Sequence, residues 1–145
     1  MNPRTPRQLQ FPYVRFPALD PFTKRQSSVY RPVIPITLHS GKRALTCRGL
    51  IDSGADECIF PGEVATSLRL NLTKGKPRIF IGVGGSTIGY LHWTTVEVER
   101  MLLRCPIYYS DEWNHIRFGL LGHAGFLARF KVLLDYRAKQ ITLTP

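Results

Sequence analysis

The sequence predicts an all-β, barrel-like domain with one or two short helices. Three observations lead there. Short apolar or alternating runs recur from Val29 to the C-terminus. Glycine and proline punctuate them at short intervals. Apolar residues at helical spacing occupy only short stretches, and many short strands divided by turn residues belong to barrels and sandwiches.

Taken in order, residues 1–28 read as a proline-rich basic arm and residues 29–145 as the folded domain. The first 30 residues hold five of the eleven prolines, with Phe11, Tyr13, Phe16 and Phe22 between them. Proline at that density disfavours helix and central strand alike, so the expectation is an extended arm lying over the domain or over a partner. Val33–Leu38 is a strand interrupted by Pro35 and therefore expected at an edge. Ser40-Gly41-Lys42 is a turn, and Ala44–Ile51 is a strand that delivers Asp52 at its end. Pro61–Leu68 carries proline and an acid near its start and reads as a short helix. Arg78–Val83 and Thr87–Val98 are strands around the bend Gly82-Val83-Gly84-Gly85. Leu102–Tyr109 is a strand in which Pro106 implies an edge or a bulge. Phe118–Gly122 is an apolar strand, Ala124–Phe130 a short helix, and Val132–Asp135 with Gln140–Thr144 a closing hairpin.

The bulk properties narrow the classes of function. At 145 residues and 43% apolar composition the chain suits a single domain with a real core. No window has the roughly 20 apolar residues of a membrane-spanning helix. The polar, proline-broken start shows no apolar leader, so a cytoplasmic location is expected. Cys47, Cys58 and Cys105 are odd in number and lack C-x-x-C spacing, which argues against a disulfide framework and a zinc ribbon. The net charge of +10 is uneven: residues 1–48 hold nine lysines and arginines against one acid, Asp20. Such a front can attract nucleic acid, anionic lipid or acidic protein. It lacks a dense basic run and any RNA-module signature, so a solubilising or docking arm is the favoured reading.

Asp52-Ser53-Gly54-Ala55, after Gly49-Leu50-Ile51, is the stretch that carries chemistry. Amide hydrolysis needs an activated water and an acid for the leaving amine. Two neighbouring carboxylates sharing one proton supply both, because close like charges do not both ionise. A hydroxyl beside the acid can fix the loop, and a glycine lets backbone approach the carboxylate. The motif occurs once, so one chain offers half of such a site.

Leu50-Ile51-Asp52-Ser53-Gly54-Ala55-Asp56 resembles the retropepsin family's apolar-apolar-Asp-[Ser/Thr]-Gly-Ala-Asp element. Ile81-Gly82-Val83-Gly84-Gly85 is similar to its glycine-rich flap, and Leu120-Leu121-Gly122 to the strand crossing behind its catalytic loop. The three come in family order from about Val29 to the C-terminus. The resemblance implies a retropepsin-like closed β-barrel, half of an acid protease, acting as a homodimeric aspartic endopeptidase. A water between two Asp52 carboxylates, one from each subunit, would attack the peptide bond. Ser53 and Gly54 would support the active-site loop, and Ser53 would bond across the dimer. Ala55, Asp56 and the flap residues Gly82, Val83, Gly84 and Gly85 would contact a protein or peptide substrate, with Val83 at the flap tip. No cofactor or metal is implied. The chain departs from the viral pattern at His123-Ala124, where viral members carry an arginine that pairs with the acid matching Asp56. His123 or a lysine or arginine is the expected partner of Asp56 here. The tail after Gly122 looks more like cellular and bacterial retropepsins and pepsin half-domains.

Other readings carry less. Asp20, Asp111, Glu112 and Asp135 read as surface or turn residues. The glycine-rich segment lacks the Gly-Lys-Ser/Thr of a phosphate loop. His39, His92, His115 and His123 have no metal-ligand spacing. Trp93 and Trp113 read as packing residues. Two alternatives stay open: a non-catalytic dimerisation or peptide-binding module of the same fold, and the protease unit of a retroelement polyprotein whose basic arm holds nucleic acid.

Overall fold

A computed structural model describes residues 7–145; the first six residues of the expected arm lie outside the described residues. Leu9–Pro12 (β1) opens the chain, followed by Val14–Leu19 (β2) and Gln26–Arg31 (β3). Val33–Ser40 (β4), Arg43–Ile51 (β5) and Cys58–Pro61 (β6) lead to a one-helix excursion, Gly62–Ser67 (α1). Lys76–Gly82 (β7), Gly85–Val98 (β8) and Met101–Ser110 (β9) form the long middle strands. Gly119–Leu121 (β10), Lys131–Asp135 (β11) and Gln140–Thr144 (β12) complete the order. Six strands close a barrel in the order β4-β5-β10-β6-β9-β8, with β8 returning to β4. The predicted all-β barrel is therefore what forms.

The barrel follows from period-2 patterning. Ile34, Ile36 and Leu38 on β4, Val96 and Val98 on β8, and Leu103, Cys105, Ile107 and Tyr109 on β9 all face the interior. Phe60 and Leu121 fill its centre, and Val64, Ala65 and Leu68 of the helix cover one end. Tyr109 brings a hydroxyl into this core. Its oxygen lies 2.9 Å from Thr94 Oγ1, which satisfies both groups. Pro35 and Pro106 obey the missing-donor rule in a finer way than expected. β4 is an edge as far as exposed Pro35 and internal from Thr37 on, where β8 joins. Pro106 sits on β9 one residue before β6 begins to pair at Ile107.

Three elements differ from the sequence expectation. β6 was not anticipated: all four of its residues are buried, so it shows no alternation to read. The segment Ala124–Phe130 forms only a short 3-10 turn, Leu127–Arg129, because Gly125 adopts φ 89° and Phe126 packs into the core. The stretch before Val29 contains strands. β1 pairs antiparallel with β12, which also pairs with β11, making a three-stranded sheet under the barrel. Leu9 and Phe11 are buried there beside Ile141 and Leu143. β2 and β3 pair with each other as a separate two-stranded ribbon. Among the described residues no helix is long and apolar enough to cross a membrane.

The three cysteines are free thiols. Burial pushes Cys47 and Cys58 up to about 12 and Cys105 up to about 11. Two predictions come from this packing. Phe11→Ala should lower the unfolding free energy by about 3–5 kcal/mol in urea titration, as for a core phenylalanine; a loss under about 0.5 kcal/mol, as at a surface site, would place Phe11 outside the core. The second concerns alkali. Unfolded thiols ionise near 9, whereas the folded ones hold their protons to higher pH. Their contribution to stability is complete below pH 9 and declines as pH rises from 9 toward 12. Thermal melts across that range should show the decline, and a Cys58→Ala variant should show less of it.

Candidate active site

The site begins with a parallel strand pair. β5 and β10 run side by side, Gly49 opposite Gly119 and Ile51 opposite Leu121. Their ends are tied: Asp52 N–H donates to the Leu121 carbonyl at 3.2 Å, and Ile51 N–H to the Pro32 carbonyl at 2.9 Å. The chain then turns tightly, with Ala55 N–H donating to the Asp52 carbonyl at 3.2 Å. Gly54 N–H reaches Asp52 Oδ1 at 2.9 Å, fixing one carboxylate oxygen to the loop. A Cβ on Gly54 would sit 3.2 Å from that oxygen, so glycine permits the close approach.

Residues after β10 close over the loop from below. His123 N–H donates to the Ala55 carbonyl at 2.9 Å and Ala124 N–H to the Asp56 carbonyl at 2.8 Å. Gly122 has to lack a side chain, since a Cβ there would overlap the carbonyl oxygens of Glu57 and Ala55. His123 departs from the expected partnership with Asp56. Its Nε2 lies 2.6 Å from the Ser53 carbonyl, so the ring donates there and holds the peptide next to Asp52. The Asp56 carboxylate forms no hydrogen bond or ion pair among the described residues.

Above this floor stands a hairpin. β7 and β8 pair down to Gly82 opposite Gly85, leaving Val83-Gly84 as a two-residue turn. Gly85 has φ 118°, a conformation that favours glycine. Val83 sits at the tip, and it is fully exposed, as are most of Ile79 and Ile81. Between hairpin and floor lies a cleft of roughly 800 Å³. Asp52, Gly54, Ala55, Asp56 and Gly82 through Gly85 line it, so eight of the nine expected site residues converge. Ser53 does not line the cleft; it is exposed on the loop and contributes its carbonyl to His123.

Further residues enter that sequence reading did not single out. Glu57, largely buried, forms an ion pair with Arg78 of β7, whose guanidinium also lies over the rings of Phe80 (5.4 Å) and Tyr108 (5.9 Å). This links the Asp52–Glu57 side of the cleft to the hairpin. Glu112, read from sequence as a surface acid, accepts from Thr87 Oγ1 and from Ile88 N–H, tying the hairpin end of β8 to the turn after β9. Trp113 and His115 also line the cleft. Apart from the Asp-Ser-Gly motif, nothing local marks these residues, because their partners lie far away in sequence. None of the cysteines lines the cleft, and their raised protonation makes them poor nucleophiles.

No protein-family model and no curated protein matches the sequence. Solved structures do. A retropepsin-like aspartic protease from Rickettsia conorii superposes with a TM-score of 0.58 at 17% identity, covering 90% of this chain and 98% of that one. The EIAV protease complexed with the inhibitor HBY-793 gives a TM-score of 0.50 at 19% identity, covering 64% of this chain and 82% of that one. The chain thus has the fold of the retropepsin-like aspartic proteases.

Proposed function

We propose that this protein is an aspartic endopeptidase that works as a homodimer, with one Asp52 from each subunit. The observation that carries the reading is Asp52 itself: a carboxylate held by Gly54 N–H on a braced loop, at the floor of a cleft under a glycine-tipped hairpin. The fold shared with aspartic proteases supports it. The single Asp-Ser-Gly in the chain supports the dimer, since the chemistry needs two carboxylates.

In this mechanism one Asp52 is protonated and the other is not. The ionised one takes a proton from the water as it attacks the scissile carbonyl. The protonated one donates to the carbonyl oxygen, giving a gem-diol. The C–N bond then breaks as the carboxyl that took the water proton gives it to the leaving amine and the other carboxylate recovers a proton from a gem-diol hydroxyl. Ser53 bonds across the dimer beneath the two acids. The substrate lies extended along Gly54 and Ala55 and adds to the β7–β8 hairpin as a further strand. Asp56 faces the peptide. The exposed Ile79, Ile81 and Val83 supply apolar surface for closure, which excludes water from the reaction. His123 acts through Ser53, by keeping the loop peptide in place.

Two tests bear on this reading. Asp52→Asn should lower cleavage of a peptide library by at least about 10²–10⁴-fold, the usual weight of acid–base catalysis, with dimerisation retained in sedimentation; cleavage that survives the substitution removes Asp52 from the chemistry. His123→Ala should lower kcat more than it raises KM, and His123→Gln, whose amide can donate to the same carbonyl, should recover part of the loss. Equal changes for both variants would limit His123 to packing.

A further inference from the structure

The β2–β3 ribbon has no role in the site described above, yet it is built with care. Its strands pair along six residues, from Val14 opposite Arg31 to Leu19 opposite Gln26, and with no other strand. That makes a ribbon about 20 Å long. Two-stranded ribbons are marginal on their own. The tip is an ordered turn. Asp20 Oδ1 accepts from Phe22 N–H at 2.9 Å and Thr23 N–H at 2.7 Å, and backbone bonds join Asp20 to Lys24 and Arg25. This turn holds Phe22 out at 92% exposure, next to Leu19 at 66%.

The root of the ribbon lies beside the catalytic loop. Pro32, the residue after β3, takes the Ile51 N–H through its carbonyl, one residue before Asp52. Phe16 packs edge-on against Phe118, which leads into β10, and the Arg31 guanidinium covers both rings. On the other side Tyr13 N–H bonds to the Lys139 carbonyl at 2.8 Å. The ribbon is therefore rooted against the end of β5, next to Asp52, and against the residue that leads into β10.

Charge adds direction. The ribbon and its turn carry Arg15, Lys24, Arg25 and Arg31 against Asp20 alone. Among the described residues the cleft is lined by Asp52, Asp56, Glu57 and Glu112, with Arg78 as the one lysine or arginine. A basic ribbon in one copy thus complements an acidic cleft rim in another.

We propose that the β2–β3 ribbon is an intersubunit clamp, whose occupant is a second copy of this chain. Leu19 and Phe22 pack on that copy, and the basic residues face the acidic rim of its cleft. The inference rests on the dimeric reading above. A second Asp52 reaches the first only if its subunit lies against the face where β5 ends, and the ribbon is rooted at that face. The apolar tip fits a protein surface better than a phosphate backbone, so nucleic acid is the less favoured occupant.

The test is sedimentation equilibrium of the full chain and two variants, Leu19→Ser/Phe22→Ser and Lys24→Glu/Arg25→Glu. The apolar variant should raise the dimer dissociation constant by roughly ten- to a hundredfold, the weight of two buried interface anchors. The charge variant should weaken the dimer at low salt and approach wild type at high salt. Circular-dichroism melts at a fixed monomeric concentration should match wild type, since the altered side chains are exposed. A dimeric wild type with unchanged variants overturns the clamp and leaves the protease reading standing. A wild type that is monomeric at every concentration, yet cleaves peptide, overturns both. An oligonucleotide that binds through Lys24 and Arg25 without any change in dimerisation assigns the ribbon to nucleic acid and overturns the clamp.

Discussion

The parallel pairing of β5 with β10 is the constraint on which the rest depends. It sets Ile51 against Leu121 and passes the Asp52 N–H to the Leu121 carbonyl. Parallel neighbours cannot be joined by a tight hairpin. The chain has to run through β6, the helix and the three long strands before it returns. The Asp52 loop therefore takes this form only once the barrel has closed. The Leu121 carbonyl and the His123 and Ala124 N–H groups then brace residues 52–56, and the His123 ring adds a fourth tie at Ser53. Gly122 marks the tightest point, where two carbonyl oxygens occupy the space of a side chain.

Around that floor the molecule divides into braced and free parts. The loop is held by backbone hydrogen bonds and by the His123 ring. The hairpin above is held toward its base by Arg78 with Glu57 and farther along by Glu112 with Thr87 and Ile88, which leaves the turn at Gly82–Gly85 beyond these ties. Glycines at positions 82, 84 and 85 make the tip the part best able to move. The same division governs charge. The chain is strongly basic overall, yet its cleft gathers acids, while the ribbon carries four lysines and arginines against one acid.

How much of this was legible in the sequence depends on how local the cause is. β4, β5, β8, β9 and the closing hairpin β11–β12 could be read because one face of each meets the core and alternation survives. The helix showed through its spacing and its leading proline. The site's centre was legible for the same reason: Asp52 to Asp56 is a continuous stretch, and Gly82 to Gly85 a continuous turn. β6 was hidden because burial on both faces erases alternation. β1 was hidden because its partner, β12, lies at the opposite end of the chain. The ribbon was hidden because Pro17 and mostly exposed residues give it no inward face of its own.

His123 shows where the boundary falls. From sequence its departure from the family pattern was plain, and Asp56 was the natural partner to expect. In the structure its ring turns to the Ser53 carbonyl instead, and Arg78 arrives from β7 to pair with Glu57. The sequence by itself determined most of the strands after β3, the Asp-Ser-Gly stretch and the glycines of the hairpin turn, because periodicity and backbone freedom are local properties. Only the tertiary structure decided which side chains brace Asp52, which charges share its cleft and what lies at its flank. Those depend on contacts between residues tens of positions apart, and barrel closure alone brings them within a few ångströms.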